Sequence, residues 1–166
     1  MLKVVRGTFV KLAFAQDAGV VLKRGDPERP AARFNPKGSD ALYLSPDEES
    51  ARVAIGQYVR PETRDRVLLT YELSEARLCD LRDPAASALY DLARMPWLAP
   101  LERGEEPPSW SAAERIRELG FDGLIDPSRR QPGLWHVTLF RWNEEGAPNV
   151  RRIGGSKPVT LDLDYR

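Results

Sequence analysis

The chain has 166 residues, 42% of them hydrophobic and 30% charged, a balance typical of a globular protein of one domain. Lysine plus arginine and aspartate plus glutamate number 25 each, so no net field attracts nucleic acid or anionic lipid, and neither partner is expected. No apolar run approaches the roughly 20 residues that span a bilayer.

These properties predict one domain over residues 1–166. The N-terminal segment lacks the apolar stretch of a signal peptide, so we expect a cytoplasmic protein. The one cysteine, Cys79, is flanked by alternating apolar and charged residues. This pattern predicts a small buried residue in a strand rather than a nucleophile.

In the first half of the chain, residue patterns predict three strands and one helix. The strands are at 3–14, 41–44 and 66–73, where apolar and β-branched residues concentrate. The helix follows Ser45-Pro46-Asp47-Glu48, which combines a capping serine, a proline at the first helical position and a glutamate three residues after the cap. Pro61 is expected to end it.

In the second half, two more helices and two more strands are predicted. Asp83-Pro84 starts a helix that stops at Pro96, and Ser111-Ala112-Ala113-Glu114 starts one that ends at Gly120. The strands are at 133–142 and 159–163. Because the strands cluster rather than alternate strictly with helices, we predict an α+β fold with mostly antiparallel sheet and flanking helices.

Common cofactor motifs are absent from the sequence, including the P-loop, the dinucleotide-binding glycine pattern and paired cysteines. With one histidine and one cysteine, a metal site would have to rest on carboxylates, so we expect no metal. His136 lies in an alternating strand and is expected to pack, with a site role as the alternative. The tryptophans are expected in the core or in a partner interface: Trp97, Trp110, Trp135 and Trp142.

The segment 32–45 carries the clearest functional signal. Arg33 lies in a turn rich in Asn, Pro and Gly, from which a guanidinium can hold a diphosphate by two hydrogen bonds. Tyr43 ends a short strand, where its ring can stack on nicotinamide or adenine. A surface arginine and a core tyrosine remain the alternative from these residues alone.

This segment resembles the hallmark of RES-domain proteins, a family named for an invariant Arg, Glu and Ser. The match runs through Arg33-Phe34-Asn35-Pro36-Lys37-Gly38 and Tyr43-Leu44-Ser45. The stretch from Gly120 to Ser128 resembles the family's later Gly-x-x-Gly-Leu-x-x-x-Ser segment, and Asp80-Leu81-Arg82-Asp83 its mid-chain Asp-Leu stretch.

The resemblance implies the toxin of a toxin–antitoxin pair, with a fold similar to that of ADP-ribosylating toxins and NAD⁺ as substrate. It implies cleavage of the nicotinamide–ribose bond and transfer of ADP-ribose to a protein target. The alternatives are an NAD glycohydrolase or phosphorylase and, in another class, a non-catalytic protein-binding module. The implied partner is a helix-turn-helix-type antitoxin that covers the active site in a hetero-oligomer.

The resemblance also implies particular site residues. Arg33, Tyr43 and Ser128 occupy matching positions and are expected to bind NAD⁺ and take part in catalysis. Arg6 is expected to act as a second phosphate ligand, with a solvated surface charge as the alternative. Tyr58 lies one helical turn beyond Ala54 on the same face, so it is expected to line the pocket, with simple packing as the alternative.

The family's glutamate is expected near Ala54, where this sequence has no carboxylate. An acid at that place would stabilise the positive charge that develops as nicotinamide leaves. Glu49 is expected to take this catalytic role, with Glu48 as an alternative. Gln57 could supply only a hydrogen bond. A different register, or weak binding and slow turnover of NAD⁺, remain open as well.

Overall fold

The protein is described from a computed structural model that covers residues 1–163. Within this range the strands are β1 (Leu2–Ala13), β2 (Leu42–Leu44), β3 (Asp65–Asp80), β4 (Gly123–Pro127), β5 (Trp135–Leu139) and β6 (Val150–Thr160). The α-helices are α1 (Glu48–Ile55), α2 (Ser87–Ala93), α3 (Leu98–Glu102) and α4 (Pro108–Glu118). Short 3-10 turns lie at Ala15–Asp17, Gly56–Tyr58, Pro61–Thr63 and Pro84–Ala86.

The strands form one sheet in the order β1-β3-β4-β5-β2. Only β3 and β4 are parallel; the other pairs are antiparallel. Because β1 occupies one edge of β3 along most of its length, β6 and then β4 share the other edge. A bridge between Val10 and Ser45 connects β1 to the residue after β2. The predicted α+β fold with mostly antiparallel sheet is confirmed.

Buried side chains form three apolar clusters around the sheet. One is built on β3, where Leu69 and Leu73 are almost fully buried. A second packs α4 against β4 through Ile116 and Leu124, and a third packs α1 against β1 through Ala51 and Leu12. Burial of each large aliphatic side chain contributes about 1.5–3 kcal/mol. These clusters hold α1 and α4 on the sheet.

Two helix starts differ from those predicted. Asp47, rather than Ser45, caps α1, and its carboxylate accepts a hydrogen bond from Ser50 N at 2.8 Å. Ser45 cannot cap because its backbone N and O are both bonded to Val10, at 2.9 and 2.8 Å. Helix α4 begins at Pro108, before the predicted Ser111, because proline is well suited to the first helical position.

Other differences concern elements whose sequence signals are weak. The prediction missed β4 and α3, and it treated the strand around Cys79 as separate from the strand at 66–73; the expectation that Cys79 is buried in a strand is confirmed. The observed β3 reaches Asp80 and buries Cys79, and burial raises the pKa of that thiol to about 11. The last strand begins at Val150 rather than Val159. The glycines and Pro158 of this strand favour a loop in a prediction from sequence, but such residues are tolerated in strands at edges and bulges.

Among the described residues, no helix is both long and apolar enough to cross a membrane.

Candidate functional site

The turn formed by residues 32–38, called the Arg33 turn below, is fixed by the side chain of Tyr43. Phe34 N donates to Tyr43 Oη at 3.0 Å, and Tyr43 Oη donates to Asn35 Oδ1 at 2.6 Å. Asn35 Nδ2 donates to two backbone carbonyls, at 3.0 and 3.1 Å. Burial raises the pKa of Tyr43. Its hydroxyl is therefore used by the fold, and the ring is what it can offer a ligand.

Helix α4 holds the same turn from another direction. Trp110 Nε1 donates to Ala32 O at 2.8 Å, and the hydroxyl of the buried Ser109 donates to Arg33 O. Neither contact was expected from the sequence. They join the N-terminal end of α4 to the loop that carries the predicted arginine.

A cavity of about 370 Å³ lies beside this turn. Of the residues proposed from the sequence, Arg33, Tyr43, Tyr58 and Ser128 line it, as do Ala54 and Gln57. The structure therefore brings together side chains from the Arg33 turn, β2, the end of α1 and the loop after β4. The other lining residues are Val10, Lys11, Leu12, Ala32, Phe34, Leu44, Ser45, Ala51, Val53, Ile55, Trp97, Asp126, Arg129, Arg130, His136 and Thr138.

The guanidinium of Arg33 is held by the end of α2. Its Nη1 donates to Ala93 O at 3.3 Å and to Met95 O at 3.1 Å. Burial lowers the pKa of Arg33, and the positive charge of Arg129 lowers it further. Two hydrogen bonds to carbonyls do not neutralise a cation, so the positive charge remains available to an anionic ligand.

Three further cations line the cavity: Lys11, Arg129 and Arg130. Lys11 Nζ donates to Tyr43 O at 3.2 Å and lies 5.8 Å from the centre of the Tyr43 ring. Burial, followed by the charge of Arg29, lowers the pKa of Lys11 to about 8. Sequence reasoning missed this lysine, although its place between the apolar Val10 and Leu12 of a predicted strand was a signal.

Of the residues within 1–163 that line the cavity, Asp126 is the one carboxylate. It is 5% exposed, and Arg129 donates two hydrogen bonds to its carboxylate, at 2.9 and 3.1 Å. Asp126 lies on β4 directly opposite His136 of β5. His136 Nδ1 lies 3.1 Å from Ser45 Oγ, and burial lowers the pKa of His136. No pattern in the sequence singles out Asp126.

The acids proposed from helix α1 do not line the cavity. Glu48 pairs with Arg52 and Lys157, at 3.1 Å in each case. Glu49 is exposed, and its Oε1 accepts from Gln131 Nε2 at 3.1 Å. The backbone N of Gln131 in turn donates to Ser128 Oγ at 3.1 Å. Glu49 thus contacts the loop that carries Ser128, but its carboxylate is outside the cavity.

Two other predicted residues have different surroundings. Arg6 is exposed, lies 3.7 Å from Glu75 and is not among the residues that line the cavity. Trp97, expected in the core or an interface, lines the cavity and donates its Nε1 to Tyr58 Oη at 3.1 Å. Trp142, in contrast, is fully buried in the core.

Within residues 1–163, no three His, Cys, Asp or Glu side chains are grouped closely enough to hold a metal ion.

A protein-family model described as the RES domain matches residues 16–164. No curated protein sequence matches the chain. A similar fold occurs in the crystal structure of the M. tuberculosis MbcT–MbcA toxin–antitoxin complex, with a TM-score of 0.63 and 15% identity. That alignment covers 96% of this chain and 87% of the other.

Proposed function

This chain belongs to the RES domain family, and from that premise we propose that it is the toxin of a toxin–antitoxin pair and that NAD⁺ is its substrate. The observation that carries the proposal is the convergence of Arg33 and Tyr43 on one cavity. Side chains that point to opposite faces of the sheet could not hold one dinucleotide. Ser128 and Tyr58 border the same space.

The chemistry of the cavity fits a dinucleotide. A diphosphate carries two negative charges, and the lining includes the cations Lys11, Arg33, Arg129 and Arg130. Arginine binds phosphate oxygens through two parallel hydrogen bonds. The exposed parts of the Tyr43, Tyr58 and Trp97 rings offer stacking surfaces for flat heterocycles.

The proposed reaction is cleavage of the bond between ribose C1′ and the nicotinamide nitrogen. Both electrons of that bond move to the pyridinium nitrogen, so nicotinamide leaves as a neutral molecule and positive charge develops on the ribose. The attacking group then forms a bond to C1′ and loses its proton. The carboxylate of Asp126 supplies the negative charge that favours this state, in the role that the sequence assigned to Glu49.

We propose a side chain of a target protein as the acceptor of ADP-ribose. Inorganic phosphate is a second candidate, because the lining holds more cations than one diphosphate needs. Water would make the enzyme a glycohydrolase. All three reactions release nicotinamide, and they differ only in the group that attacks C1′.

The proposed partner is an antitoxin of the helix-turn-helix type that covers the cavity. The structure with a similar fold is that of a toxin–antitoxin complex, which supports a hetero-oligomer. Exposed apolar side chains in the cavity lining, or close in sequence to Trp97 of that lining, also support a covering partner, since a partner would bury them. These are Tyr58, Leu92, Met95 and Leu98, between 38% and 45% exposed.

The test is to incubate the purified protein with NAD⁺ labelled in the ADP-ribose part, with and without cell extract, and to follow free nicotinamide and labelled protein. Nicotinamide release with labelled protein bands supports the transferase. Release without labelling shows hydrolysis or, when it requires added phosphate, phosphorolysis. A folded protein that binds its antitoxin and releases no nicotinamide would instead be a non-catalytic binding module.

A further inference from the structure

Ser45 and His136 form a polar pair inside the cavity that the proposed reaction has not used. Ser45 Oγ and His136 Nδ1 are 3.1 Å apart, and both residues line the cavity. Ser45 is buried, with 4% of its surface exposed. Among the described residues, the His136 ring bonds Ser45 through Nδ1, and its Nε2 has no hydrogen-bond partner. The ring therefore has one nitrogen fixed by the protein and one available to a bound molecule.

The sheet places this pair in a row with Asp126. The antiparallel register of β2 and β5 pairs Leu44 with Val137, so the next position brings Ser45 opposite His136. On the other side of β5, Asp126 of β4 is paired with His136. Directly opposite residues of antiparallel strands project from the same face of the sheet. Ser45, His136 and Asp126 thus form a row across three strands, facing the cavity.

We propose that His136 is a catalytic residue, the general base that takes the proton of the group attacking ribose C1′. This inference rests on the proposed function. In the reactive state Nδ1 is protonated and donates a hydrogen bond to Ser45 Oγ, and Nε2 is unprotonated. As the acceptor binds C1′, its proton passes to Nε2, while the electrons of the broken bond leave with nicotinamide. Asp126 faces the imidazolium that forms and stabilises its charge.

The surroundings of His136 suit a base at neutral pH. Burial is the largest influence on its pKa and lowers it. The charged groups that face the ring are Asp126 on β4 and Asp47 before α1, which raise the pKa, and Arg129 after β4, which lowers it. The imidazole is therefore neutral near pH 7. Lys11, the other cavity base, has a pKa of about 8 and is mainly protonated there, and its Nζ donates to Tyr43 O, so we assign the proton to His136.

The substitution His136→Asn tests this role. An Asn side chain can still donate to Ser45 Oγ, but it has no basic nitrogen to accept a proton. We expect the rate of nicotinamide release, kcat, to fall by about 100-fold or more. The KM for NAD⁺ should change little, because the residues proposed to bind the dinucleotide are intact. The assay uses phosphate-free buffer. A phosphate dianion can attack C1′ without losing a proton, so its reaction would not require a general base.

The pH profile of kcat/KM provides the second measurement. His136 is the only histidine in the chain, so the wild type should lose activity as the pH falls through the pKa of His136, which burial lowers from its ordinary value, and His136→Asn should lack this acid limb. Ser45→Ala should lower kcat less than His136→Asn does. Asp91→Asn, on the exposed surface of α2, is the control and should retain both kcat and the acid limb.

Two outcomes separate this inference from the function on which it rests. If the wild type releases nicotinamide and His136→Asn does so equally fast with the same acid limb, the general-base role is wrong and the proposed function stands. If the wild type itself releases none even when cell extract and phosphate are both supplied, the function fails and this inference fails with it. Should the Asn variant not fold, His136→Gln provides the same comparison.

Discussion

Arg33 makes contacts of two kinds, and a substitution there changes both. Its Nη1 bonds the carbonyls of Ala93 and Met95, and its charge faces the cavity. Arg33→Ala should lower kcat/KM for NAD⁺ by at least about 100-fold, because two hydrogen bonds to an anion are lost. The loss of its contacts with α2 should cost about 1 kcal/mol of unfolding free energy.

Steady-state kinetics and denaturant unfolding measure these two effects separately. Arg115→Ala is the matched control, because Arg115 is exposed on α4 and pairs with Glu118. An Arg33→Ala protein that unfolds at room temperature would show that Arg33 has a structural role only.

Tyr43 offers a second test at the scale of single residues. Tyr43→Phe keeps the ring but leaves Phe34 N and Asn35 Oδ1 without a partner. Because both groups are largely buried, we expect the free energy of unfolding to fall by about 1–3 kcal/mol. NAD⁺ affinity, measured by calorimetry at a temperature where the variant is folded, should fall much more in Tyr43→Ala than in Tyr43→Phe. Equal losses in the two variants would argue against ring stacking.

The sequence predicted some of the residues in the cavity and missed others for a physical reason. Arg33 and Tyr43 lie in one local segment whose turn and strand signals can be read directly. Lys11 and Asp126 become neighbours of this segment only through strand pairing between distant parts of the chain. The acid is the clearest case. The absence of a glutamate near Ala54 does not indicate that Asp126 of β4 would line the cavity.

At the scale of elements, the close contact between β4 and β5 is the most sensitive point. A Cβ on Gly123 would lie 2.0 Å from Thr138 O and 2.9 Å from Leu139 Cα. Gly123→Ala should therefore push the two strands apart and destabilise the protein by about 1–3 kcal/mol or more. Activity should fall as well, because this pairing sets Asp126 opposite His136.

Thermal unfolding and nicotinamide release test this expectation together. Gly19→Ala is the control, since no heavy atom lies within 4 Å of its added Cβ. A Gly123→Ala protein with wild-type stability would mean that the strands can separate at no cost.

Elements with complete local signals were predicted well, and those defined by their neighbours were not. The strand at 3–14 has dense apolar residues, and β1 matches it. Helix α3 has five residues and is too short to show a helical period. The cap of α1 was misplaced at Ser45 because the bridge to Val10 that engages its backbone is a long-range contact.

At the scale of the whole molecule, the buried lysine links stability to pH. Lys11 has a pKa of about 8 in the folded protein, against about 10.4 in an unfolded chain. Between these values the unfolded chain binds more protons than the folded protein. The free energy of unfolding should therefore rise with pH across this window.

Comparison with Lys11→Met isolates this effect. Denaturant unfolding should show the wild type gaining stability relative to Lys11→Met between about pH 8 and pH 10. NAD⁺ affinity of the wild type should weaken over the same range as the cation is lost. A stability difference that does not change with pH would contradict the burial of the charge.

The Arg33 turn is supported from three sides, and this has a consequence for the protein during its synthesis. Arg33 is fixed by contacts with β2, α2 and the start of α4, and the cavity wall is completed only by side chains up to Thr138. A ribosome releases the N-terminal part of a chain first. If the protein has the proposed activity, a chain that is still being synthesised should therefore be inactive until Thr138 has left the ribosome.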